Sequence, residues 1–293
     1  MERKGRNSRI SRSRPSRLPR VALRIVVSAV VLVPVFVGQS SHETRHERDA
    51  EALSTDAETP AVESFIVAFG ERKSATLKDG SQLVMNTSTQ VEVAIDQRYR
   101  HATLAQGEAL LNVVEDPRRP FVLHAGCAEL ETTAAKLLAR AELSGQCKIH
   151  VLTGEAWLKP REQGGFLYPG ARFRPMLVRA GEVVSMAAGV PSVAPFEPSK
   201  VDRALAWTEG EVSFLGETLA EAVAEFNRYN HRQLVVGDAE ISDLRVGGRF
   251  EANDVDGFVT ALQNTFGIRA ERIRSGGAGE RAVVLLGAEE SRM

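Results

Sequence analysis

Residues 65–95 read FIVAFGERKSATLKDGSQLVMNTSTQVEVAI, and the punctuation of this stretch decides the class of fold. Apolar runs, Phe65–Phe69, Ala75–Leu77, Leu83–Met85 and Val91–Ile95, are each too short for a helix and are separated by polar turns. Asp79-Gly80 stands between the second and third of them. Glycine accepts the positive φ that a tight turn needs, so Asp-Gly between short runs predicts a β-hairpin. Val91-Glu92-Val93-Ala94-Ile95 then alternates with the period of two that a half-buried strand requires.

Downstream the rhythm continues. Ala102–Leu104, Ala109–Val114, Phe121–His124, Lys148–Leu152 and Ala156–Leu158 are short runs parted by Gly107, Pro117, Pro120, Gly145 and Gly154. Many short strands with such punctuation predict a β-sandwich or β-roll over residues 61–200. Thr133–Leu143 is rich in Ala and Leu and is read as a segment that can be helical. Pro191, Pro195 and Pro198 are read as a stiff linker.

The pattern changes over residues 201–293. Ala206–Phe214 is read as a strand, and Thr218 with Glu221 forms a capping box ahead of Leu219, Ala222, Val223 and Phe226 on one helical face. Leu234–Val236 and Leu244–Phe250 are strands, and Asn253 or Asp254 caps a second helix with Val255, Phe258, Val259, Leu262 and Phe266 inward, stopped at Gly267. Strands Ile268–Ile273 and Ala282–Leu286 close the unit around Gly276-Gly277. The order β-α-β-β-α-β describes a small two-layer α/β domain. The fold class is therefore mainly β plus α/β.

Towards the N-terminus, residues 1–20 carry Arg3, Lys4, Arg6, Arg9, Arg12, Arg14, Arg17 and Arg20 against Glu2 alone, a basic stub. The formal net charge of the whole chain is −1, so the remainder is mildly acidic and a nucleic-acid partner is not expected. Val21–Val37 is apolar save for Arg24 and Ser28. As a helix it would span about 25 Å, slightly under a bilayer's hydrocarbon core, with Arg24 able to snorkel to the headgroups. The basic flank places the N-terminus in the cytoplasm and the rest outside. A cleavable signal peptide shares this signature, but no small-x-small site follows the run, and Phe36-Val37-Gly38 is a poor substitute. Residues 21–38 are thus read as a transmembrane signal anchor and residues 39–60 as a polar tether. His42 and His46 in that tether are attributed to chance spacing.

Cys127 and Cys147 are the two cysteines of the chain. With His124 and His150 they form a mirrored His-x-x-Cys and Cys-x-x-His pair that could supply a zinc site. Residues i and i+3 of a strand face opposite ways, and outside the cytoplasm a disulfide is the simpler reading, which we adopt. No nucleophile elbow, zinc-protease helix or phosphate loop is present, so no catalytic residue, cofactor or metal is expected.

Gly70-Glu71-Arg72, Leu77, Asp79-Gly80-Ser81 and Asn86 resemble the opening signature of the FecR family of membrane regulators. So do Leu104, Gly107-Glu108-Ala109, Val113, Pro120-Phe121-Val122 and Val151-Leu152 with Gly154-Glu155-Ala156. Thr132–Leu137 stands where the family usually has Gly-Thr-x-Phe. Ala206-Trp207, Gly210, Phe214, Leu219, Phe226–Asn230 and Gly248-Arg249-Phe250 look like its C-terminal signature, similar to the short signalling domain of secretins and TonB-dependent receptors. The resemblance implies a single-pass inner-membrane protein with periplasmic domains. Its expected role is to relay a signal, as in iron-uptake regulation, from an outer-membrane TonB-dependent transporter to an extracytoplasmic-function sigma factor. Family members carry a helical cytoplasmic domain where this chain has only the stub. The expected partners are the receptor's signalling domain, the membrane and a sigma factor on the cytoplasmic side. An envelope scaffold or ligand-binding module built from the same domains is the alternative.

Within the C-terminal domain, Leu244, Arg245, Val246, Gly247, Gly248, Arg249 and Phe250 form the candidate docking strand. Its glycines permit close backbone approach if it is an edge, or make room for the second helix if it is interior. Asn227 and Arg228 are candidate contact residues or caps, and Trp207, Phe226 and Tyr229 are either core or contact residues.

Overall fold

Five strands open the β domain in this computed structural model: β1 (Val62–Ile66), β2 (Lys73–Thr76), β3 (Gln82–Met85), β4 (Gln90–Ile95) and β5 (Arg100–Val113). They are followed by β6 (Phe121–Ala125), β7 (Ala128–Thr132), β8 (Ala135–Ala141), β9 (Cys147–Lys159), β10 (Met176–Arg179), β11 (Glu182–Ala187) and β12 (Val190–Pro195). The structure describes residues 61–126, 128–160, 173–187, 190–275 and 278–287. The expected anchor at Val21, Arg24 and Val37, with the stub, the tether and Cys127, lies outside them. No helix among the described residues is long and apolar enough to cross a membrane.

Two long strands organise the domain as a roll. The first half of β5 pairs with β4 and β6, and its second half with β3 and β8. Strand β9 does the same, pairing with β8 and β11 and then with β7 and β10. Each passes from one sheet to the other at a glycine with positive φ, Gly107 (+92°) in β5 and Gly154 (+75°) in β9. A Cβ on Gly107 would stand 2.4 Å from Thr89 Oγ1, and one on Gly154 2.3 Å from Ala134 O. No larger side chain fits either bend. Leu104, Phe121, Leu130, Ile149, Val151 and Leu158 fill the interior between the sheets.

The predicted hairpin forms: β2 pairs with β3 around Asp79-Gly80, Gly80 has φ +85°, and Asp79 accepts hydrogen bonds from Ser81 N (3.0 Å) and Ser81 Oγ (2.8 Å). Asp79 also meets the guanidinium of Arg100, Oδ2 to Nη1 at 3.2 Å, with both side chains almost fully buried. That guanidinium reaches further to the carbonyls of Arg119 (2.6 Å) and Val114 (2.8 Å). A five-donor fork satisfied on several sides can be buried; a lysine in the same place could not reach all of them.

Thr133–Leu143 corrects the reading as a helical segment. Its residues 135–141 are strand β8, clamped between β5 and β9, with Leu137 and Leu138 buried on opposite faces. Helix propensity is weak against two waiting ladders. The departure at Thr132–Leu137 therefore does not interrupt the sheet. The proline linker is also corrected. Pro191 and Pro195 lie in β12, which among the described residues pairs only with β11 and is an edge strand, where a missing N–H is tolerated. Pro198 occupies the first turn of a helix, α1 (Pro198–Glu209), which ends at Gly210 in the left-handed region.

The C-terminal elements follow: β13 (Glu211–Thr218), α2 (Leu219–Asn227), β14 (Gln233–Val236), β15 (Arg245–Glu251), α3 (Val255–Phe266), β16 (Arg269–Ser275) and β17 (Ala278–Leu286). The expected strand at Ala206 is thus helix as far as Glu209, while both expected closing strands are present as β16 and β17, which makes the order after α1 β-α-β-β-α-β-β. The capping box at Thr218 and Glu221 is present, and Asp254 caps α3 through Gly257 N (2.8 Å). Strands β13 and β15 form one antiparallel ribbon, and β14-β17-β16 a separate three-stranded sheet. Phe226 stacks on Phe258 at 4.1 Å between ring centroids, with Phe214 and Phe250 around them. Residues 57–293 form one compact unit, so the β domain and the C-terminal domain are a continuous body.

Gly154→Ala combines a left-handed φ with a backbone clash and should cost about 2 kcal/mol or more. Gly181→Ala, also at positive φ (+90°) but with no heavy atom near the added Cβ, isolates the dihedral cost alone. Urea denaturation should show the first variant clearly less stable than the second.

Candidate functional site

The C-terminal domain seats on the outer face of the sheet formed by β3, β5, β8 and β9. Leu138, with Val84, Leu110 and Leu152 beside it, joins the core of Trp207, Val212 and Phe226. Polar groups fix the register of this seam. Asn86 Nδ2 donates to Glu108 Oε2 (2.9 Å) and to Tyr229 Oη (2.8 Å). Arg228 Nη2 donates to the same Glu108 Oε2 at 3.1 Å, and Arg228 also pairs with Glu225. Thr87 Oγ1 donates to Arg228 O (3.1 Å) and accepts from Gly70 N (2.7 Å), while Arg72 Nη1 donates to Trp207 O (2.5 Å).

Charge and burial reinforce one another here. Burial works against the charged guanidinium of Arg228, but the carboxylates of Glu225 and Glu108 outweigh it and hold its pKa above the ordinary value. Burial likewise pushes the Tyr229 phenol up, so it remains a neutral hydrogen-bond partner. Asn227 and Arg228, expected as contact or capping residues, thus have internal tasks. Asn227 exchanges two 2.8 Å hydrogen bonds with the backbone of Leu234, tying β14 to the end of α2. Arg228 belongs to the seam. Trp207, Phe226 and Tyr229 are buried.

The candidate docking strand is β15, and it pairs with β13 alone among the described residues. Val246 is buried and Phe250 partly so, while Arg245, Gly247, Gly248 and Arg249 are exposed; Leu244 lies just before the strand and is half-buried. Neither glycine makes room for α3. A Cβ on Gly247 would have only Phe214 O within 4 Å, at 3.9 Å, and one on Gly248 would meet the ring of Phe250. Arg245 donates to Gly216 O (3.1 Å), and Arg249 pairs with Glu209 and Glu211, so both arginines brace the ribbon.

Cys147 opens β9 and is buried, and a Cβ built on Gly126, the neighbour of Cys127, would come 3.3 Å from Cys147 Cβ. The expected disulfide involves Cys127, which lies outside the described residues. His124 faces Glu129 (3.6 Å) and packs near His101, whereas the ring of His150 packs on Phe196. Among the described residues no group of three His, Cys, Asp or Glu is arranged to hold a metal.

A cleft of about 910 Å³ lies between the β11–β12 hairpin and the α1–β13 segment. His150 is in its wall. Burial, with the positive charges of Lys148 and Arg203, lowers its pKa to about 4, so the ring is neutral at physiological pH. Nothing in the spacing of residues marked this cleft, because its walls are distant in sequence.

Residues 63–156, from β1 into β9, match the model of the FecR protein family. The fold extends further. Two crystal structures of a candidate anti-sigma factor from Parabacteroides distasonis ATCC 8503, at 1.65 and 2.50 Å resolution, superpose with a TM-score of 0.59 each and 19% identity. They cover 77% and 78% of this chain and 99% and 100% of their own. No curated protein matches the sequence.

Arg228→Met strands the Glu108 carboxylate in the seam and should cost about 3 kcal/mol, much of it recovered when Glu108→Gln is added. A double-mutant cycle by denaturant titration measures this. His150, depressed when folded and ordinary when unfolded, binds its proton more readily in the unfolded chain. Its contribution is therefore present above pH 6.5 and lost as pH falls towards 4. Thermal melts between pH 6.5 and 4 should fall less steeply for His150→Gln than for the unaltered chain.

Proposed function

We propose that this chain is a single-pass inner-membrane regulator that relays a signal from an outer-membrane TonB-dependent transporter to an extracytoplasmic-function sigma factor. In this reading residues 1–20 lie in the cytoplasm, residues 21–38 anchor the chain, and the FecR domain and C-terminal domain stand in the periplasm. The protein binds and relays; it does not catalyse. The sigma-factor role draws its support from the FecR domain at residues 63–156.

The observation that carries the relay is the arrangement of the ribbon. Strand β15 has an edge without a strand partner among the described residues, and α2, between the two strands of that ribbon in sequence, ends on Arg228 in the seam. An extended segment of the transporter's signalling domain adds to β15 through main-chain hydrogen bonds. A shift of the ribbon is then passed through α2 and Arg228 to Glu108 on the FecR domain. The basic stub lacks apolar positions at helical spacing, so its contact with a sigma factor is weak and sensitive to salt.

Gly247 has ordinary backbone φ and open space, so Gly247→Lys should fold while placing a bulky charge on the docking edge. With this chain and the purified signalling domain of a TonB-dependent transporter from the same cell, calorimetry should show binding that weakens at least tenfold in the variant. A promoter reporter for the neighbouring sigma factor should lose its response to the transporter's ligand. Unchanged binding and an unchanged reporter in both the variant and a deletion strain would reject the regulator reading in favour of an envelope scaffold.

A further inference from the structure

The cleft between the β11–β12 hairpin and the α1–β13 segment contains two buried ring nitrogens without hydrogen-bond partners among the described residues: Nε1 of Trp207 and Nδ1 of His150. Trp207 is 4% exposed, so its indole N–H is a donor cut off from bulk water. Native proteins seldom leave such groups unpaired, because each orphan forfeits a hydrogen bond it had in water. The volume, about 910 Å³, is within the range of ligand sites.

The charges around the cleft are largely spoken for. Arg203 pairs with Glu217, Arg140 with Glu225 and Lys200 with Glu197. Glu221 is engaged in the capping box with Thr218. Glu211 is held by Arg249, and Glu142, Lys148 and Arg245 are exposed charges of the lining. What the buried part of the site leaves for an occupant is neutral and polar: one N–H donor and one imidazole nitrogen. The cleft also follows a strand. Glu211, Val212, Ser213 and Phe214 of β13 line it in succession, and β13 pairs only with β15, so its second edge has no strand partner among the described residues. A neutral ligand with alternating donors and acceptors along a strand edge is a polypeptide main chain.

We propose that this cleft is a peptide-binding site, in which an extended, uncharged segment of a partner protein lies along β13 and presents its main-chain amides to Trp207 and His150. The site is on the opposite edge of the ribbon from β15, and it stands whether or not the chain regulates a sigma factor.

The test is to pan a displayed library of random octapeptides against the full-length chain in detergent micelles. Fluorescein-labelled versions of the enriched sequences are then measured by anisotropy. Uncharged, β-prone sequences should be enriched. Their affinity should fall at least tenfold for Trp207→Phe, which keeps an aromatic ring but removes the N–H, and for peptides N-methylated at alternate residues. Ser185→Trp, which narrows the cleft from the facing strand β11, should abolish binding and provides a second variant if Trp207→Phe lowers the melting temperature. Gly247→Lys should leave this binding unchanged, separating it from docking at β15. The proposal is overturned if no sequence is enriched, if the enriched peptides bind both cleft variants normally, or if binding survives N-methylation. Binding of maltohexaose in place of any peptide, lost in Trp207→Phe, would also overturn it and assign the site to a sugar.

Discussion

The bend of β5 at Gly107 is the constraint on which the rest of the body depends. Before it the strand runs in one sheet; after it, in the other, so the roll closes around a single interior. The residue immediately after the bend, Glu108, faces the seam and accepts hydrogen bonds from Asn86 on one side and Arg228 on the other. A backbone conformation open to glycine therefore determines where a buried carboxylate stands. That carboxylate in turn determines where the C-terminal domain can dock. Gly154 and Glu155 repeat the pattern in β9, where the backbone carbonyl of Glu155 accepts from Thr132 Oγ1 at 2.6 Å and ties the bend to β7.

A buried ion pair is weak evidence of stability, since desolvating both charges offsets most of their attraction. Its effect here is on specificity. Glu108 would be stranded in any arrangement of the two domains that withdrew Arg228, and Asn86 and Tyr229 would lose each other in the same movement. The seam therefore permits one register strongly and its neighbours poorly. Arg100 acts in the same way within the β domain, where a single guanidinium gathers the Asp79 turn and the carbonyls of Val114 and Arg119. Both networks join segments far apart in sequence, and both include residues of the family signature, Asp79, Asn86 and Glu108. Those motif residues are here positions that close the fold.

The exposed ribbon edge, the helix behind it and the seam are connected by short, stiff contacts, and the Phe214, Phe226, Phe250 and Phe258 rings fill the space between them. The ribbon also has two different edges. One faces open surroundings at Gly247; the other runs along a cleft with unpaired ring nitrogens.

Local chemistry was legible in the sequence. The Asp79-Gly80 hairpin, the Thr218–Glu221 capping box, the Asp254 cap, the Gly267 stop and the inward faces of α2 and α3 all follow from interactions within a few residues. A change of period near residue 201 was legible as well. Misread segments were those whose local preference is overruled from a distance. Residues 135–141 favour a helix by composition but are strand β8, because β5 and β9 offer a ladder on each side. Prolines 191, 195 and 198 punctuate a linker by themselves, yet an edge position and a helix start accommodate them. Asn227 and Arg228 look like surface residues at a helix end until Leu234 and Glu108 come within hydrogen-bond reach. The sequence by itself thus determined the turns, caps and periodicities, whose energies are set by near neighbours. Only the tertiary structure decided the seam, the open edges and the cleft, because those depend on which distant groups burial brings together.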